Sequence, residues 1–391
     1  MPVPRPRRAL TTATLPKLED LDVASKRVLV RADLNVPLAD GGVSDDFRIK
    51  AFLPTLERIL ERGGVAIVCS HLGRPKGPDA KYTLAPVAAA LSEALAGDVP
   101  LVGDYDKVPA VRVALLENLR FNAGETSNDP AFARQLTSLA DVYVNDAFGA
   151  CHRAHASIVG PPGTLPSAAG LLLEREIENL SRLLGEPERP YVVVLGGAKV
   201  SDKIGVVRNL LDKADKILIG GGMCFTFLKA RGGEVGTSLV DEASLRDAEE
   251  IVDNEKVVLP TDVVIADRFE AAEASETVDA MHIPSGCMGL DIGPQSARAF
   301  GDAIREAKTV FWNGPMGVFE KPAFAAGSRV VAEAVAACEG YTVTGGGDTA
   351  ATLAAFHLED AVDFASTGGG ASLEFLEGKT LPGIAALTKE S

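Results

Sequence analysis

The sequence predicts an α/β protein of two doubly wound parallel-sheet domains, Rossmann-like in kind, joined by a hinge helix. Three observations carry that expectation. Short β-branched apolar runs alternate with amphipathic, Ala/Leu-rich segments along the whole chain, the pattern of βαβ units and buried parallel sheets. The 391 residues exceed what one hydrophobic core usually organises. Several runs in the second half end in glycine turns that lead into helical segments, where open α/β sheets bind their ligands.

The strands follow in order. KRVLVRADLNV, GGVAIVCSHLGR, VRVALLENLRF and ADVYVNDAFG supply the first sheet. YVVVLGGAK, KILIGGG, KVVLPTDVVIA, TVFWNGPMGVF, YTVTGGGD and VDFASTGGG supply the second. Between the two sets, LLLEREIENLSRLL (171–184) has helical spacing and stops at GEPERP, a turn cluster that cannot continue a helix. The expected boundaries are a first domain at 1–172, a connecting helix and hinge at 173–189, and a second domain at 190–378. No internal repeat is clean enough to assign.

Composition narrows the function. Hydrophobic content of 46% and charged content of 24% are those of a globular protein. No apolar run is long enough to span a bilayer, so no membrane role is expected. A formal net charge of -15 argues against nucleic acid as a partner, while leaving room for a small basic pocket. Cys69, Cys151, Cys224, Cys287 and Cys338 are scattered with no CxxC pair, which reads as reduced, cytoplasmic thiols. The leader MPVPRPRRALTT carries Arg5, Arg7 and Arg8 but no apolar core of a signal peptide; a mis-assigned start or a disordered arm is expected.

The carboxyl ends of the strands, where such sheets bind ligands, carry two chemistries. The first half offers Asp33, Asn35, His71, Arg74, Arg120 and Asp146, then His152, Arg153 and His155 in CHRAHAS, with Arg48 in the loop after the first strand. This cationic set suits a small polyanion held by charge-assisted, often bidentate contacts. The second half offers Gly196 and Gly197 ahead of Lys199 and Lys203, the triplets at 220–222, 345–347 and 368–370, and Asn313, Glu320, Asp348 and Thr349. Glycine lets backbone approach a ligand, and a helix beginning there presents free N–H groups and a positive dipole end to phosphate. A carboxylate suits ribose hydroxyls, and an Asp suits a hard divalent ion. Phosphoryl transfer between a nucleotide and an acidic small molecule unites the two sets.

Other motifs weigh less. Cys151, His152 and His155 have metal-like spacing but no evident fourth ligand. His282 and His357 lie away from the clusters, and Trp312 reads as packing. Gly345-x-Gly347-x-x-Ala350 fits a relaxed dinucleotide fingerprint, yet no acidic residue follows at the next strand end. GKT at 378–380 is not the end of a P-loop, because Leu373 stands where that loop requires glycine. The triplet at 220–222 is the least determined: it either packs beside an adenine or is purely structural.

RVLVRADLNVPL, SHLGRP, LLENLRF, NDAFG, HRAHAS, GGAKVSDKI, GGGM, WNGPMGVFE, GGGDT and STGGGA stand in this order along the chain, and on them it resembles the phosphoglycerate kinase family over nearly its whole length. The resemblance implies reversible phosphoryl transfer between 1,3-bisphosphoglycerate and MgADP, giving 3-phosphoglycerate and MgATP. It implies that Asp33, Leu34, Asn35, Arg48, His71, Leu72, Gly73, Arg74, Arg120 and Arg153 bind phosphoglycerate. Gly197, Lys203, Gly289, Asn313, Glu320, Gly346, Gly347, Asp348 and Thr349 would bind nucleotide, with Glu320 on the ribose and Asp348 on Mg2+. Arg48 and Lys199 would meet the transferring group, helped by amides at Gly347 and Gly370. The tail 379–391 would pack back on the first domain, and closure about the connector would exclude water.

The family likeness further implies a cytoplasmic monomer whose partners are small-molecule substrates, ADP or ATP with Mg2+ among them. The chain departs from the family pattern at Ser285, Cys287, Gln295 and Cys151 and in its longer leader. Two other classes stay open: an NAD-dependent oxidoreductase, resting on the relaxed fingerprint, and a non-catalytic nucleotide-binding protein. Retention of Lys199, Arg48 and Asp348 speaks against the latter.

Overall fold

A computed structural model describes residues 15–388. The expectation of a mis-assigned start or disordered arm concerns a leader that lies outside the described residues. The chain packs as two compact units, one reaching to Glu178 and resuming at Thr380, the other Asn179–Lys379. The division falls within the helix Leu171–Leu184.

The first unit is organised by a sheet of six strands: β1 (Arg27–Ala32), β2 (Val65–Cys69), β3 (Leu101–Val102), β4 (Val113–Leu116), β5 (Val142–Asp146) and β6 (Ser167–Ala169). Their order is β3-β4-β2-β1-β5-β6, parallel throughout. The chain reverses its direction of travel across the sheet between β1 and β5, and such a switch point opens a crevice at the carboxyl edge. Every residue of β5 is buried, as expected where helices cover both faces of a parallel sheet. Helix α1 (Phe47–Glu61) turns Ile49, Phe52, Leu56 and Ile59 inward onto the core. That spacing of three and four keeps one stripe apolar, and each such burial contributes about 1.5–3 kcal/mol.

The second unit repeats the plan with β7 (Tyr191–Leu195), β8 (Lys216–Ile219), β9 (Val257–Val258), β10 (Thr309–Asn313), β11 (Tyr341–Gly345) and β12 (Phe364–Ser366). The order is β9-β8-β7-β10-β11-β12, the doubly wound arrangement with its switch point between β7 and β10. The α/β class with two parallel sheets is therefore as predicted.

One strand expectation needs correction. KVVLPTDVVIA does not form a single strand. Val257–Val258 ends the parallel sheet, and Asp262–Ala266 instead pairs antiparallel with Glu276–Asp279 and Met288–Ile292. Pro260 separates the two parts; it has no N–H to give to a ladder and breaks the run.

Asp146, at the end of β5, belongs to the framework. Its Oδ1 accepts hydrogen bonds from the backbone N–H groups of Leu172 and Leu173 at 2.9 and 3.1 Å, and Thr55 Oγ1 accepts from Leu171 N at 2.9 Å. The first N–H groups of helix Leu171–Leu184, which have no partner inside the helix, are thus satisfied. The fit needs Gly170, where a Cβ would stand 2.2 Å from Asp146 Oδ1. At the other end of the chain, Gly383 N donates to Cys151 O at 2.9 Å, and helix Pro382–Thr388 packs on helix Ala156–Val159 within the first unit.

Burial pushes the Asp146 carboxyl up to about 7, above the value of about 4 expected when unfolded. Stability from the protonated form is fully present below about pH 4 and is lost as pH rises through about 7. The melting temperature of wild type relative to Asp146→Asn, followed by calorimetry, should fall across that window. A difference independent of pH would contradict the assignment.

Candidate active site

In the first unit the switch-point crevice collects the cationic set. Asp33 and Asn35 follow β1, His71 to Arg74 follow β2, Arg120 follows β4, and Arg153 lies in the loop after β5. Arg48, expected in the loop after the first strand, instead lies in the first turn of α1, and its Nη1 pairs with Asp33 Oδ2. Burial pushes the Asp33 carboxyl up, but the Arg48 and Arg31 guanidinium groups outweigh it and hold the carboxyl below its usual range.

The loops are tied to one another through backbone contacts. Asn35 Oδ1 accepts from Gly73 N at 2.8 Å, Ser70 Oγ accepts from Leu34 N at 2.9 Å, and Arg120 Nη1 donates to Gly73 O at 2.5 Å. Leu34 and Leu72 are buried beneath these turns, so they contribute packing and backbone to the crevice.

Three arginines are left over. Among the described residues, Arg74, Arg120 and Arg153 make no ion pair, and Arg120 Nε is buried with no hydrogen-bond partner. Arg74 and Arg153 are exposed. Unpaired guanidinium groups above a rigid floor form a receptor for a polyanion. His71 is buried, and that burial drives its imidazole well below the ordinary value, with Arg31, Arg120 and Arg48 acting in the same direction. It is a neutral hydrogen-bonding ring at physiological pH.

In the second unit a cavity of about 490 Å³ opens at the carboxyl edge, and three helix N-termini meet there. Helix Ile204–Leu210 brings Lys203, helix Gly347–Ala355 brings Gly346 to Thr349, and helix Gly370–Leu376 brings Gly369 and Gly370. Gly346 has φ +92°, a conformation side chains rarely adopt, and a Cβ there would crowd Asn313 Nδ2 at 3.0 Å. Asn313 Nδ2 donates to Gly345 O at 2.7 Å, and Thr349 Oγ1 accepts from Gly314 N at 2.7 Å. Asn313 and Thr349 therefore brace the turn from inside. Asp348 is exposed and lines the cavity; its carboxylate is a hard oxygen donor that fits a divalent ion shared with phosphates.

Other expected residues stand apart from this cavity. Lys199 is exposed, Gly197 turns with φ +85° beside Lys203 Nζ, and Glu320 is exposed in the loop after β10. Gly289 lies in the antiparallel sheet, where a Cβ would meet the Phe225 ring at 2.1 Å. The 220–222 triplet has a packing role: Gly221 adopts φ +61°, and a Cβ there would lie 2.4 Å from Gly197 N. Trp312 is fully buried, with Nε1 donating to Gly314 O at 2.8 Å. No group of three or more His, Cys, Asp or Glu able to hold a metal occurs among the described residues.

The family model described as phosphoglycerate kinase matches residues 18–379. The chain belongs to the phosphoglycerate kinase family. The phosphoglycerate kinase of Salinispora tropica is 54% identical over 397 residues, covering 97% of this chain and 100% of its own. That of Deinococcus radiodurans is 53% identical over 385 residues, covering 95% of this chain and 94% of its own. Among solved structures, phosphoglycerate kinase from Coxiella burnetii has a TM-score of 0.87 at 41% identity, covering 96% of this chain and 99% of its own.

Membership in the phosphoglycerate kinase family makes the chain a phosphotransferase and sets aside the oxidoreductase reading of Gly345, Gly347 and Ala350. Its departures from the family pattern avoid the charged groups. Ser285 and Gln295 are exposed, Cys287 is half-buried, and the buried Cys151 thiol donates to Ala147 O. Sequence reasoning missed Arg31, Asn118 and Glu125, all fully buried. Asn118 Nδ2 donates to Leu72 O at 2.8 Å while its Oδ1 accepts from Arg120 N at 3.1 Å, joining two of the ligand-bearing loops. For Arg31 a signal existed, since a charge inside RVLVRA cannot be solvated in a doubly covered strand.

Burial lowers the Lys203 ammonium to about 8, with Asp348 and Asp202 pulling the other way. An anion that binds beside it favours the charged form. ADP binding should therefore weaken as pH rises above about 8. Calorimetry with MgADP, whose phosphates are already ionised, in buffers of different ionisation enthalpy should show uptake approaching about one proton there and much less near pH 6.5. Proton uptake that does not change with pH would contradict this role for Lys203.

Proposed function

We propose that this chain transfers a phosphoryl group reversibly from the acyl phosphate of 1,3-bisphosphoglycerate to MgADP, giving 3-phosphoglycerate and MgATP. The observation that carries the reading is the contrast between the two carboxyl edges. One offers unpaired guanidinium groups over a buried floor, and the other offers converging helix N-termini with Lys203 and Asp348.

Asp33, Asn35, Arg48, His71, Arg74, Arg120 and Arg153 hold the phosphoglycerate, with Arg48 and the arginine cluster neutralising its charge. Lys203 and the turn at 346–349 hold the nucleotide phosphates through amides and one ammonium. Glu320 takes the ribose hydroxyls, and Gly197, Gly289 and Asn313 shape the nucleotide's surroundings. Magnesium, held by Asp348 and the phosphates, would supply positive charge at the phosphoryl oxygens. Arg48 and Lys199 meet the transferring group, with amides at Gly347 and Gly370 directed at its oxygens.

No general base is required. In the direction of ATP use the nucleophile is the carboxylate of 3-phosphoglycerate, ionised at neutral pH. The work left is positioning and stabilisation of a loose, highly charged transition state. Neither half performs it alone, so closure about the connecting helix assembles the site and excludes water. Among the described residues no helix is long and apolar enough to cross a membrane. A cytoplasmic monomer acting on small molecules completes the reading.

The test is a coupled assay with ATP, magnesium and 3-phosphoglycerate on wild type, Lys199→Ala and Arg48→Ala. Each variant should lose on the order of 10²–10³ in turnover, equivalent to about 2.7–4 kcal/mol, by analogy with removing one oxyanion donor. Wild-type rates in both would refute their contacts with the transferring group. Absence of activity in wild type would refute the reaction itself.

A further inference from the structure

Beneath the arginine cluster lies a buried carboxylate that no step of the proposed reaction uses. Glu125 is fully buried on the short helix Ala123–Thr126. Its Oε1 accepts from Ser157 Oγ at 2.7 Å and its Oε2 from Ser157 N at 3.0 Å. Ser157 belongs to helix Ala156–Val159, which directly follows the loop carrying His152, Arg153 and His155. His155 Nδ1 itself lies 3.6 Å from Glu125 Oε1.

The other side of the carboxylate faces Arg31, also fully buried, whose Nη2 is 4.0 Å from Glu125 Oε1. Arg31 Nε donates to Ser157 Oγ at 2.9 Å, so the serine hydroxyl relays between the two charges. Arg31 Nη2 also stands 3.1 Å from His71 Nδ1. A guanidinium can only donate. His71 Nδ1 must therefore accept, and the proton of the neutral ring sits on Nε2.

We propose that Glu125 is a positioning residue for the phosphoglycerate-binding cluster: it fixes the loop of Arg153 through Ser157, and the tautomer of His71 through Arg31. The inference rests on the reading of that cluster as the phosphoglycerate site. A buried carboxylate suits this task because it accepts from several donors at once and offsets the charge of Arg31, whose side chain is fully buried. An amide in its place keeps the shape but removes the carboxylate paired with Arg31, leaving that guanidinium beside His71 with only the longer-range charge of Asp33.

The experiment measures binding of 3-phosphoglycerate and of ADP by calorimetry, and the His71 tautomer by 15N NMR, on the full chain. It uses Glu125→Gln, Ser157→Ala and, as a control on the cluster itself, Arg74→Ala. Glu125→Gln should weaken 3-phosphoglycerate about tenfold or more while leaving ADP within about twofold, as loss of a supporting contact does at other sites. The His71 signal should lose its single Nε2-protonated form. Removing one partner of a buried pair is strongly destabilising; if Glu125→Gln does not fold, Ser157→Ala decides by the same two measurements. Unchanged 3-phosphoglycerate binding in the Glu125 and Ser157 variants, with a loss in Arg74→Ala, would overturn the positioning role alone. Unchanged binding in Arg74→Ala would overturn the reading of the cluster as the substrate site. Equal weakening of both ligands would mean general loosening and would also overturn the positioning role.

Discussion

A helix that follows a parallel strand begins with N–H groups it cannot satisfy itself, and in a doubly wound sheet those groups gather at the carboxyl edge. The second unit follows this constraint closely. Helices beginning at Ile204, Gly347 and Gly370 open on one cavity, and the glycines ahead of the last two leave the amides uncovered. Where the framework needs such a helix start closed, it closes it with a carboxylate and a hydroxyl, as Asp146 and Thr55 do for the helix from Leu171.

The first unit instead gathers side-chain charge at its carboxyl edge. Concentrating arginines in a crevice costs mutual repulsion and desolvation, and the structure offsets part of that cost with buried carboxylates. Asp33 pairs with Arg48, and Glu125 faces Arg31. Among the described residues, Arg74, Arg120 and Arg153 remain without an ion-pair partner. His71 is kept neutral by burial among these cations, which makes it a directional hydrogen-bonding group in place of one more charge. A polyanion bound there would meet fixed charged and neutral donors, so little reorganisation would be needed.

Much of this was legible in the sequence because period and punctuation are local. Runs such as VYVND and YVVVL announce strands covered on both faces, and the glycine turns after β11 and β12 mark the carboxyl edge where the cavity opens. The failures have physical causes. KVVLPTDVVIA reads as one apolar run, and only the missing N–H of Pro260 reveals that it serves two sheets. The edge strands β3 and β6, two and three residues long, are too short for any periodicity to show. Glu125 and Asn118 went unrecognised because their partners Ser157 and Leu72 lie 32 and 46 residues away, and a polar residue in a short helix or turn carries no mark of burial. Lys199 and Glu320 illustrate the converse: resemblance names them, while their exposure here shows only that nothing in their own unit occupies them.

In the proposed reaction, the amides of one unit and the guanidinium groups of the other would have to act on a single transferring group. Small-angle X-ray scattering tests it most directly, on the free protein, with 3-phosphoglycerate, with magnesium and a non-hydrolysable ATP analogue, and with all of these together. The account predicts a radius of gyration that is smallest in the complex with both substrates. An unchanged radius across all four states would contradict it.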